Sequence, residues 1–182
     1  MEDLTIVIPC FEKPETVAKS IEGNKEILKK YPVIVINKKG GEALKPVSSV
    51  FFQQDTSFWF ARRFGLEFVK TKYILCLDID TILPPKYIEK AIELLEKDPT
   101  IGAIALYYER SIQDHLAFGT SIWRTKELKN LYDWRLTYPP ISFDICECKY
   151  MWNKLEKANM KVETLPMKAI HLKYIITKKP PS

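Results

Sequence analysis

Short apolar segments alternate with segments of helical periodicity along the first eighty residues. The apolar segments cover residues 4–11, 33–36, 47–53 and 73–77. Their content of Val, Ile, Leu and aromatic residues is typical of strands that are buried on both faces. Apolar residues recur at helical spacing in residues 14–30 and 60–68. This order of strands and helices predicts an α/β fold, with a mostly parallel central sheet flanked by helices on both faces.

The second half of the chain has a less regular pattern. The predicted elements are a helix from Pro85 to Asp98, strands at residues 101–107 and 161–165, a short helix at 126–132, and a helix that follows residues 143–147. Residues 109–119 are polar and show no strong periodicity, which favours a loop. We expect one domain over residues 1–172 and a loosely held basic tail over residues 173–182.

Composition and charge limit the classes of function. The chain has 182 residues, of which 46% are hydrophobic and 28% charged, and its net charge is +5. Its lysines and arginines are spread along the chain, which favours phosphate-bearing ligands over nucleic acid. We find no signal peptide or membrane-spanning pattern, so we expect a cytoplasmic protein with reduced cysteines. Cys146 and Cys148 lack the second cysteine pair that would complete a zinc site, so no metal is predicted there.

Polar side chains follow the predicted strands at the point where each strand ends. Asp78 and Asp80 follow residues 73–77 and precede a Pro-Pro pair, which cannot continue a central strand. The other two strand ends carry Phe11 with Glu12, and Asn37 with Lys38. In open α/β sheets, ligands bind beyond the carboxyl ends of the strands. Close carboxylates repel unless a cation accompanies them, so this edge predicts a divalent metal ion and a nucleotide-sized cleft.

Three motifs, in this order, resemble those of family 2 glycosyltransferases of the GT-A (nucleotide-diphospho-sugar transferase) fold. They are Leu4-Thr5-Ile6-Val7-Ile8-Pro9-Cys10-Phe11-Glu12, Ala61-Arg62-Arg63-Phe64-Gly65-Leu66 and Leu77-Asp78-Ile79-Asp80-Thr81-Ile82-Leu83-Pro84-Pro85. The third motif contains the Asp-x-Asp signature of that family, followed by a helix that a proline begins. The resemblance extends over roughly residues 4–172. Glu12, Asn37 and Arg63 differ from the residues usual in the family, so the nucleotide base is not predicted.

The resemblance implies a donor, a metal ion and a reaction. The donor is a nucleotide-diphosphate sugar, and the sugar moves by inverting displacement to a hydroxyl of a glycan, protein or lipid-linked acceptor. A divalent cation, Mn²⁺ or Mg²⁺, neutralises the departing diphosphate. Asp80 is the implied direct ligand and His171 a further one, although His171 is equally compatible with a packing role. The implied donor-binding residues are Pro9, Phe11, Glu12, Asn37, Lys38, Arg62, Asp78 and Asp80.

An inverting transfer also needs a base that accepts the proton of the acceptor hydroxyl. Family 2 enzymes place this base at the start of the helix before the last strand, where this chain has Asp144 and Glu147. The two acids are three residues apart and therefore share one face of a helix. Asp144 is the first choice because it precedes the helix and is freer to reach the cleft. At least one of the two is also a charge that the helix dipole favours.

Two other classes of function remain open at this point. The segment around Asp78 and Asp80 also fits the nucleophile strand of haloacid-dehalogenase-like phosphatases, with Asp78 as nucleophile. That class needs a later Asp-Asp pair, which the chain lacks. The second alternative is a non-catalytic module that binds sugar nucleotides or glycans. The basic tail at residues 173–182 permits peripheral contact with an anionic membrane.

Overall fold

The computed structural model describes residues 3–38, 49–53, 58–109, 115–133 and 146–173. Its strands are β1 (Leu4–Cys10), β2 (Val33–Lys38), β3 (Ser49–Gln53), β4 (Tyr73–Cys76), β5 (Thr81–Ile82), β6 (Ile101–Tyr108), β7 (Ala117–Arg124), β8 (Lys161–Glu163) and β9 (Lys168–His171). Its helices are α1 (Pro14–Gly23), α2 (Lys25–Lys30), α3 (Phe58–Glu67), α4 (Tyr87–Lys97), α5 (Thr125–Leu131) and α6 (Glu147–Lys157). The strands follow one another in the order β3-β2-β1-β4-β7-β6-β9-β5, and β8 pairs with β6.

The sheet has a parallel half and a mixed half. β3, β2, β1 and β4 run parallel to one another, as their continuous apolar sequences predict. β7 pairs antiparallel with β4 and with β6, β6 pairs parallel with β8 and β9, and β5 pairs antiparallel with β9. Five of the eight strand pairings in the described part of the chain are parallel. The predicted α/β fold with a mostly parallel sheet is therefore confirmed.

Side chains that alternate along the strands divide the core into two layers. On β1, Leu4 and Ile6 face the layer that packs against α1, α2 and α4. Val7 faces the opposite layer, which packs against α3, α5 and α6. Helices thus cover both faces of the sheet, as predicted. None of the described helices combines the length and the apolar character that crossing a membrane requires.

β7 is the main element that the sequence pattern does not predict. Residues 109–119 favour a loop, yet a central strand begins at Ala117 and carries the buried Thr120 and Ser121. The Thr120 hydroxyl oxygen accepts a hydrogen bond from the backbone N–H of Leu106 at 2.9 Å. The Ser121 hydroxyl donates to a backbone carbonyl at 2.6 Å. Because both hydroxyls have partners within the fold, this strand is buried without a continuous apolar sequence.

Asn24 connects the first helical segment to the chain that follows Asp80. The predicted helix over residues 14–30 is interrupted at Asn24, which lies between α1 and α2. Its buried side chain donates to the carbonyl of Thr81 at 2.7 Å and accepts from the N–H of Leu83 at 3.0 Å. These bonds fix the strand β5, and they therefore help to position the segment that carries the candidate metal ligand.

Candidate active site

The chain turns directly after β4. The N–H of Asp78 donates to the carbonyl of Gly119 at 3.0 Å, and the N–H of Thr81 donates to the carbonyl of Asp78 at 3.0 Å. Residues 79–80 form a turn, so the chain is not extended between the two aspartates. Both carboxylates nevertheless line one cavity, because the turn directs them toward the same edge of the sheet.

The cavity has a volume of about 270 Å³ and lies at the carboxyl ends of β1 and β4. Its lining residues are Glu12, Trp59, Arg62, Asp78, Ile79, Asp80, Glu147, His171 and Lys173. Six of these nine residues are candidates from the sequence. The structure therefore brings together side chains from the start, the middle and the end of the chain.

Arg62 joins two of the carboxylates at the inner wall of the cavity. It lies on α3, and its guanidinium donates to both Asp78 and Glu147. Burial is the largest single influence and lowers the pKa of Arg62, but Asp78 and the other neighbouring groups together raise it more, so the pKa lies above its ordinary value. The Tyr132 hydroxyl donates to the second oxygen of Glu147. Asp78 and Glu147 are thus held in fixed positions by the Arg62 guanidinium, which is itself buried.

Gly119 makes room for the Asp78 side chain. A Cβ atom on Gly119 would lie 1.8 Å from the Asp78 carboxylate oxygen, far inside van der Waals contact. The glycine lies on β7, whose pairing with β4 brings its backbone against Asp78. A side chain at position 119 would therefore displace the carboxylate from its bond with Arg62.

Asp80 lies in a second, less tightly bonded group of charges. The Oδ2 atom of Asp80 is 3.5 Å from His171 Nε2 and 3.5 Å from the Lys173 ammonium. Lys173 also donates to Glu12 at 2.5 Å. Burial and the neighbouring Asp78 raise the pKa of Asp80, while His171 and Lys173 lower it, and the net shift is upward. Asp80 thus carries a charge that its surroundings only partly compensate.

The donor set of Asp80 and His171 fits a divalent cation. The antiparallel pairing of β5 with β9 places Thr81 opposite His171, which brings the imidazole beside Asp80. Octahedral ligands at about 2.1 Å from an ion lie about 3.0 Å from each other. The observed separation of 3.5 Å therefore requires only a small adjustment. One carboxylate and one imidazole leave further positions for phosphate oxygens and water, and an imidazole ligand favours Mn²⁺ over Mg²⁺.

Three further candidates whose side chains the structure describes, Pro9, Phe11 and Asn37, are not among the residues that line this cavity. Pro9 is buried within β1, and Asn37 is buried at the end of β2. Phe11 packs against the core layer that α3 and α6 cover. Lys38 is the last residue of β2, and its side chain is not among those that the structure describes. Asp144 lies outside the described residues, so its role as the base stays a prediction.

Three lining residues were not predicted from the sequence. Trp59 lies on α3, one helical turn before Arg63, and its ring packs against Tyr132 and Tyr150. Lys173 was assigned to a loosely held tail, but its ammonium contacts both Glu12 and Asp80. Ile79 lines the cavity between the two aspartates. Only Lys173 carried a usable signal, since it is two residues beyond His171.

A second group of side chains with metal-binding chemistry lies outside the cavity lining. The ligand atoms of His115, Cys146 and Cys148 lie within 4.8 Å of one another. Burial raises the pKa of the Cys146 thiol, but the backbone amides of Lys149 and Cys148 and the His115 ring lower it more, so the net shift is downward. The sequence did not predict this cluster, because His115 is distant in the chain and is brought in only by the fold.

Comparison with protein families gives a match over most of the chain. The model of Glycosyl transferase family 2 matches residues 5–158. No curated protein matches the chain. The matched range contains most of the three motifs that resemble this family, together with Arg62 and the two carboxylates that it bonds, Asp78 and Glu147.

Solved structures show the same fold at low sequence identity. The mannosyltransferase PcManGT from Pyrobaculum calidifontis, in complex with GDP-Man and Mn²⁺, is 14% identical with a TM-score of 0.68, covering 90% of this chain and 55% of that one. S. aureus TarS 1-349 in complex with UDP-GlcNAc is 12% identical with a TM-score of 0.66, covering 91% and 57%. The 2-C-methyl-D-erythritol 4-phosphate cytidylyltransferase from Thermus thermophilus is 12% identical with a TM-score of 0.62, covering 89% and 88%. The chain thus spans little more than half the length of the two transferases it is compared with first.

Proposed function

The chain belongs to glycosyl transferase family 2, and on that premise we propose that its cavity binds a nucleotide-diphosphate sugar and transfers the sugar, with inversion, to an acceptor hydroxyl. The observation that carries the proposal is the convergence of Asp80 and His171 with the Arg62-held carboxylates in one cavity. Cation ligands and a candidate base then line the same space, which a reacting sugar would occupy.

The charges around Asp80 support a role at the diphosphate end of the donor. Asp80 and His171 would hold the divalent cation, which supplies positive charge against the charge that develops on the departing diphosphate. Lys173 adds a second positive charge beside them. Asp78, held by Arg62, is the acid that the family resemblance implies would face the ribose or a metal-bound water. These roles extend the comparison with a mannosyltransferase whose structure contains GDP-Man and Mn²⁺.

Glu147 is the candidate base that the described residues include. Its side chain is 11% exposed and lines the cavity. Arg62 and Tyr132 each bond one carboxylate oxygen, and each oxygen keeps a second lone pair that can accept a hydrogen bond from an acceptor hydroxyl. A base held in this way is well oriented but weakened by the adjacent cation. Asp144 therefore remains the competing assignment.

The donor proposal is tested by thermal shift with UDP, GDP, CDP and ADP, each with Mn²⁺ and with a chelator. We expect one diphosphate to raise the melting temperature only when Mn²⁺ is present. Asp80→Asn should abolish the shift, and Glu163→Gln, an exposed carboxylate on β8, should retain it. A shift that survives in Asp80→Asn would refute the proposed site. Metal-dependent hydrolysis of a simple phosphomonoester would instead support the phosphatase alternative, which the family match does not favour.

The base is identified by comparing Glu147→Gln with Asp144→Asn under saturating donor and acceptor. Loss of the true base should lower kcat by about 10²–10⁴-fold and leave donor binding nearly unchanged. Because Glu147 also bonds Arg62 and Tyr132, its variant must first be shown to melt as a folded protein. Donor binding without turnover in the unmodified protein, with every class of acceptor, would support a binding module instead.

A further inference from the structure

We propose that His115, Cys146 and Cys148 form a binding site for a soft divalent metal ion of the Zn²⁺ class, separate from the position between Asp80 and His171. Two thiolates and one imidazole are ligands that Zn²⁺ prefers. All three ligand atoms lie within 4.8 Å of one another. None of the three residues lines the cavity of the candidate active site.

The distances suit a tetrahedral site. With Zn–S bonds of about 2.3 Å and Zn–N bonds of about 2.0–2.1 Å, ligand atoms of a tetrahedral site lie about 3.6–3.8 Å apart. Cys146 Sγ lies 3.2 Å from His115 Nε2. The other separations do not exceed 4.8 Å. A metal ion would therefore need side-chain rotations and shifts of about 1 Å or less, with a fourth position left for water or another ligand.

The backbone around the cluster is already organised to hold it. The N–H of Phe118 points at Cys148 Sγ, with the two atoms 3.3 Å apart. Hydrogen bonds of this kind orient and stabilise thiolate ligands. The Trp152 indole on α6 donates to the carbonyl of Leu116 at 3.0 Å, which ties the residue beside His115 to the helix that Cys146 and Cys148 begin. The two segments that supply the ligands are thus joined by contacts that require no metal.

A divalent ion would balance the charges that the two cysteines carry once they are deprotonated. Cys146, Cys148 and His115 are all partly buried, and two thiolates at such a site would repel each other. A divalent ion with two thiolates and a neutral imidazole forms a neutral group, which removes that repulsion. The partial burial also limits competition from water for the ligand positions.

The site would act on the position of Glu147. Cys146 and Cys148 flank Glu147 at the first turn of α6. A metal ion bound to both neighbours and to His115 would fix this turn against the segment that precedes β7. The metal would then be a positioning element for the carboxylate that Arg62 bonds, with no contact to the reacting sugar.

Titration of the reduced, tag-free full chain with Co²⁺ tests the proposal, with Zn²⁺ as the competitor. We expect one equivalent of Co²⁺ to give thiolate-to-metal charge-transfer absorption and tetrahedral visible bands, and one equivalent of Zn²⁺ to remove them. The chain has two histidines, so His115→Gln and His171→Gln form a matched pair. The apparent affinity for Co²⁺ should fall at least about tenfold in His115→Gln. The charge-transfer band and the affinity should be unchanged in His171→Gln.

Cys148→Ser should abolish the charge-transfer band, and Cys10→Ala, which removes a thiol of the core, should retain it. Zn²⁺ should also raise the melting temperature of the unmodified chain, which does not depend on any variant folding correctly. Absence of the band in the reduced protein, its persistence in His115→Gln, or a Cys146–Cys148 disulfide whose reduction yields no metal uptake would each overturn the proposal. None of these measurements involves a sugar donor, so their outcome is independent of the proposed transfer reaction.

Discussion

The two aspartates of the third motif are two residues apart, yet they lie in opposite electrostatic surroundings. Asp78 is bonded by the buried Arg62, and Gly119 leaves just enough space for its carboxylate. The Oδ2 atom of Asp80 lies 3.5 Å from His171 Nε2 and 3.5 Å from the Lys173 ammonium, and the Lys173 side chain is 53% exposed. The pKa of Asp80 is raised, since burial and Asp78 outweigh those neighbours.

This difference suggests a division of roles between the two acids. A carboxylate that already has a fixed cation is a poor ligand for a second one, but it is well placed to orient a neutral group such as a hydroxyl. A carboxylate whose charge is incompletely compensated gains most from a bound divalent cation. We therefore propose that Asp78 with Arg62 (the Asp78 side) orients the bound ligand, and that Asp80 with His171 and Lys173 (the Asp80 side) binds the added cation.

Replacing Arg62 with Met is the most damaging change that we predict. It leaves the partly buried Asp78 and Glu147 without their shared cation, and breaking a fully buried pair costs about 3–5 kcal/mol of unfolding free energy, which is the upper limit for this change. Urea denaturation at neutral pH measures the loss. The double variant Arg62→Met with Glu147→Gln should recover part of it, because one uncompensated charge is removed.

The neighbouring arginine is the control for that prediction. Arg63 pairs with Glu67, whose side chain is 46% exposed, so Arg63→Met should cost much less than Arg62→Met. Arg62→Lys should also be harmful, since an ammonium cannot donate to both carboxylates in the geometry of the guanidinium. Equal losses in Arg62→Met and Arg63→Met would show that the Asp78 side is not held in the way described.

Gly119→Ala tests the geometry of Asp78 with a smaller change. The new Cβ would occupy the space of the Asp78 carboxylate, so we expect a loss of about 1–3 kcal/mol and a donor affinity reduced about tenfold or more. Gly102→Ala is the matched control, because its Cβ would meet the end of the flexible Leu155 side chain. That variant should lose stability without losing donor affinity, as measured by denaturation and by calorimetric titration.

Asp80→Asn should separate function from stability. The folded-state pKa of Asp80 lies above its ordinary value, so ionised Asp80 destabilises the fold at pH values above that pKa. The amide removes this cost, and the variant should be as stable as the unmodified chain at neutral pH, or more so. The advantage should disappear as pH falls through the raised pKa, because the unmodified carboxyl then becomes neutral.

The Asp80→Asn change should have the opposite effect on metal binding: it should lower the affinity for Mn²⁺ while it preserves or raises stability. Mn²⁺ requires ionised Asp80, so its affinity should decrease as pH falls toward the raised pKa, and Asp80→Asn should weaken it at least about tenfold. Thermal melts across pH, with and without Mn²⁺, measure both effects. A variant that is less stable than the parent at neutral pH would contradict the assignment of Asp80 as the uncompensated acid.

The parallel half of the sheet, β1 to β4, was predictable because each of its strands has a continuous apolar sequence. The strand ends that carry Glu12, Asp78 and Asp80 followed from that pattern, and the structure brings all three to one cavity. β7 was not predictable in the same way, because its buried hydroxyls at Thr120 and Ser121 are satisfied only by backbone groups that the fold supplies.

The contacts among the site residues were also not predictable from the sequence, because they form only in the folded structure. From the sequence, Arg62 could bind a donor phosphate, order the strand-end carboxylates or be merely solvated, and nothing local indicates that it would also bond Glu147. Tyr132, 70 residues after Arg62, shares its carboxylate partner only through packing of α5 and α6. His115 meets Cys146 and Cys148 for the same reason. Each of these contacts joins residues that are far apart in the chain, so it depends on the tertiary fold and not on any local sequence pattern.

Lys173→Met should have the smallest effect and should act only on the Asp80 side. Its side chain is more than half exposed, so its ion pairs contribute less than about 1 kcal/mol to stability. Removing this positive charge should tighten Mn²⁺ binding severalfold, since two like charges about 4 Å apart repel by about 1 kcal/mol in a well-solvated site. Calorimetric titration at low and high salt measures the change, which should shrink as salt screens the charges. Binding that weakens in Lys173→Met would place the metal elsewhere and would remove the contrast between the two aspartates.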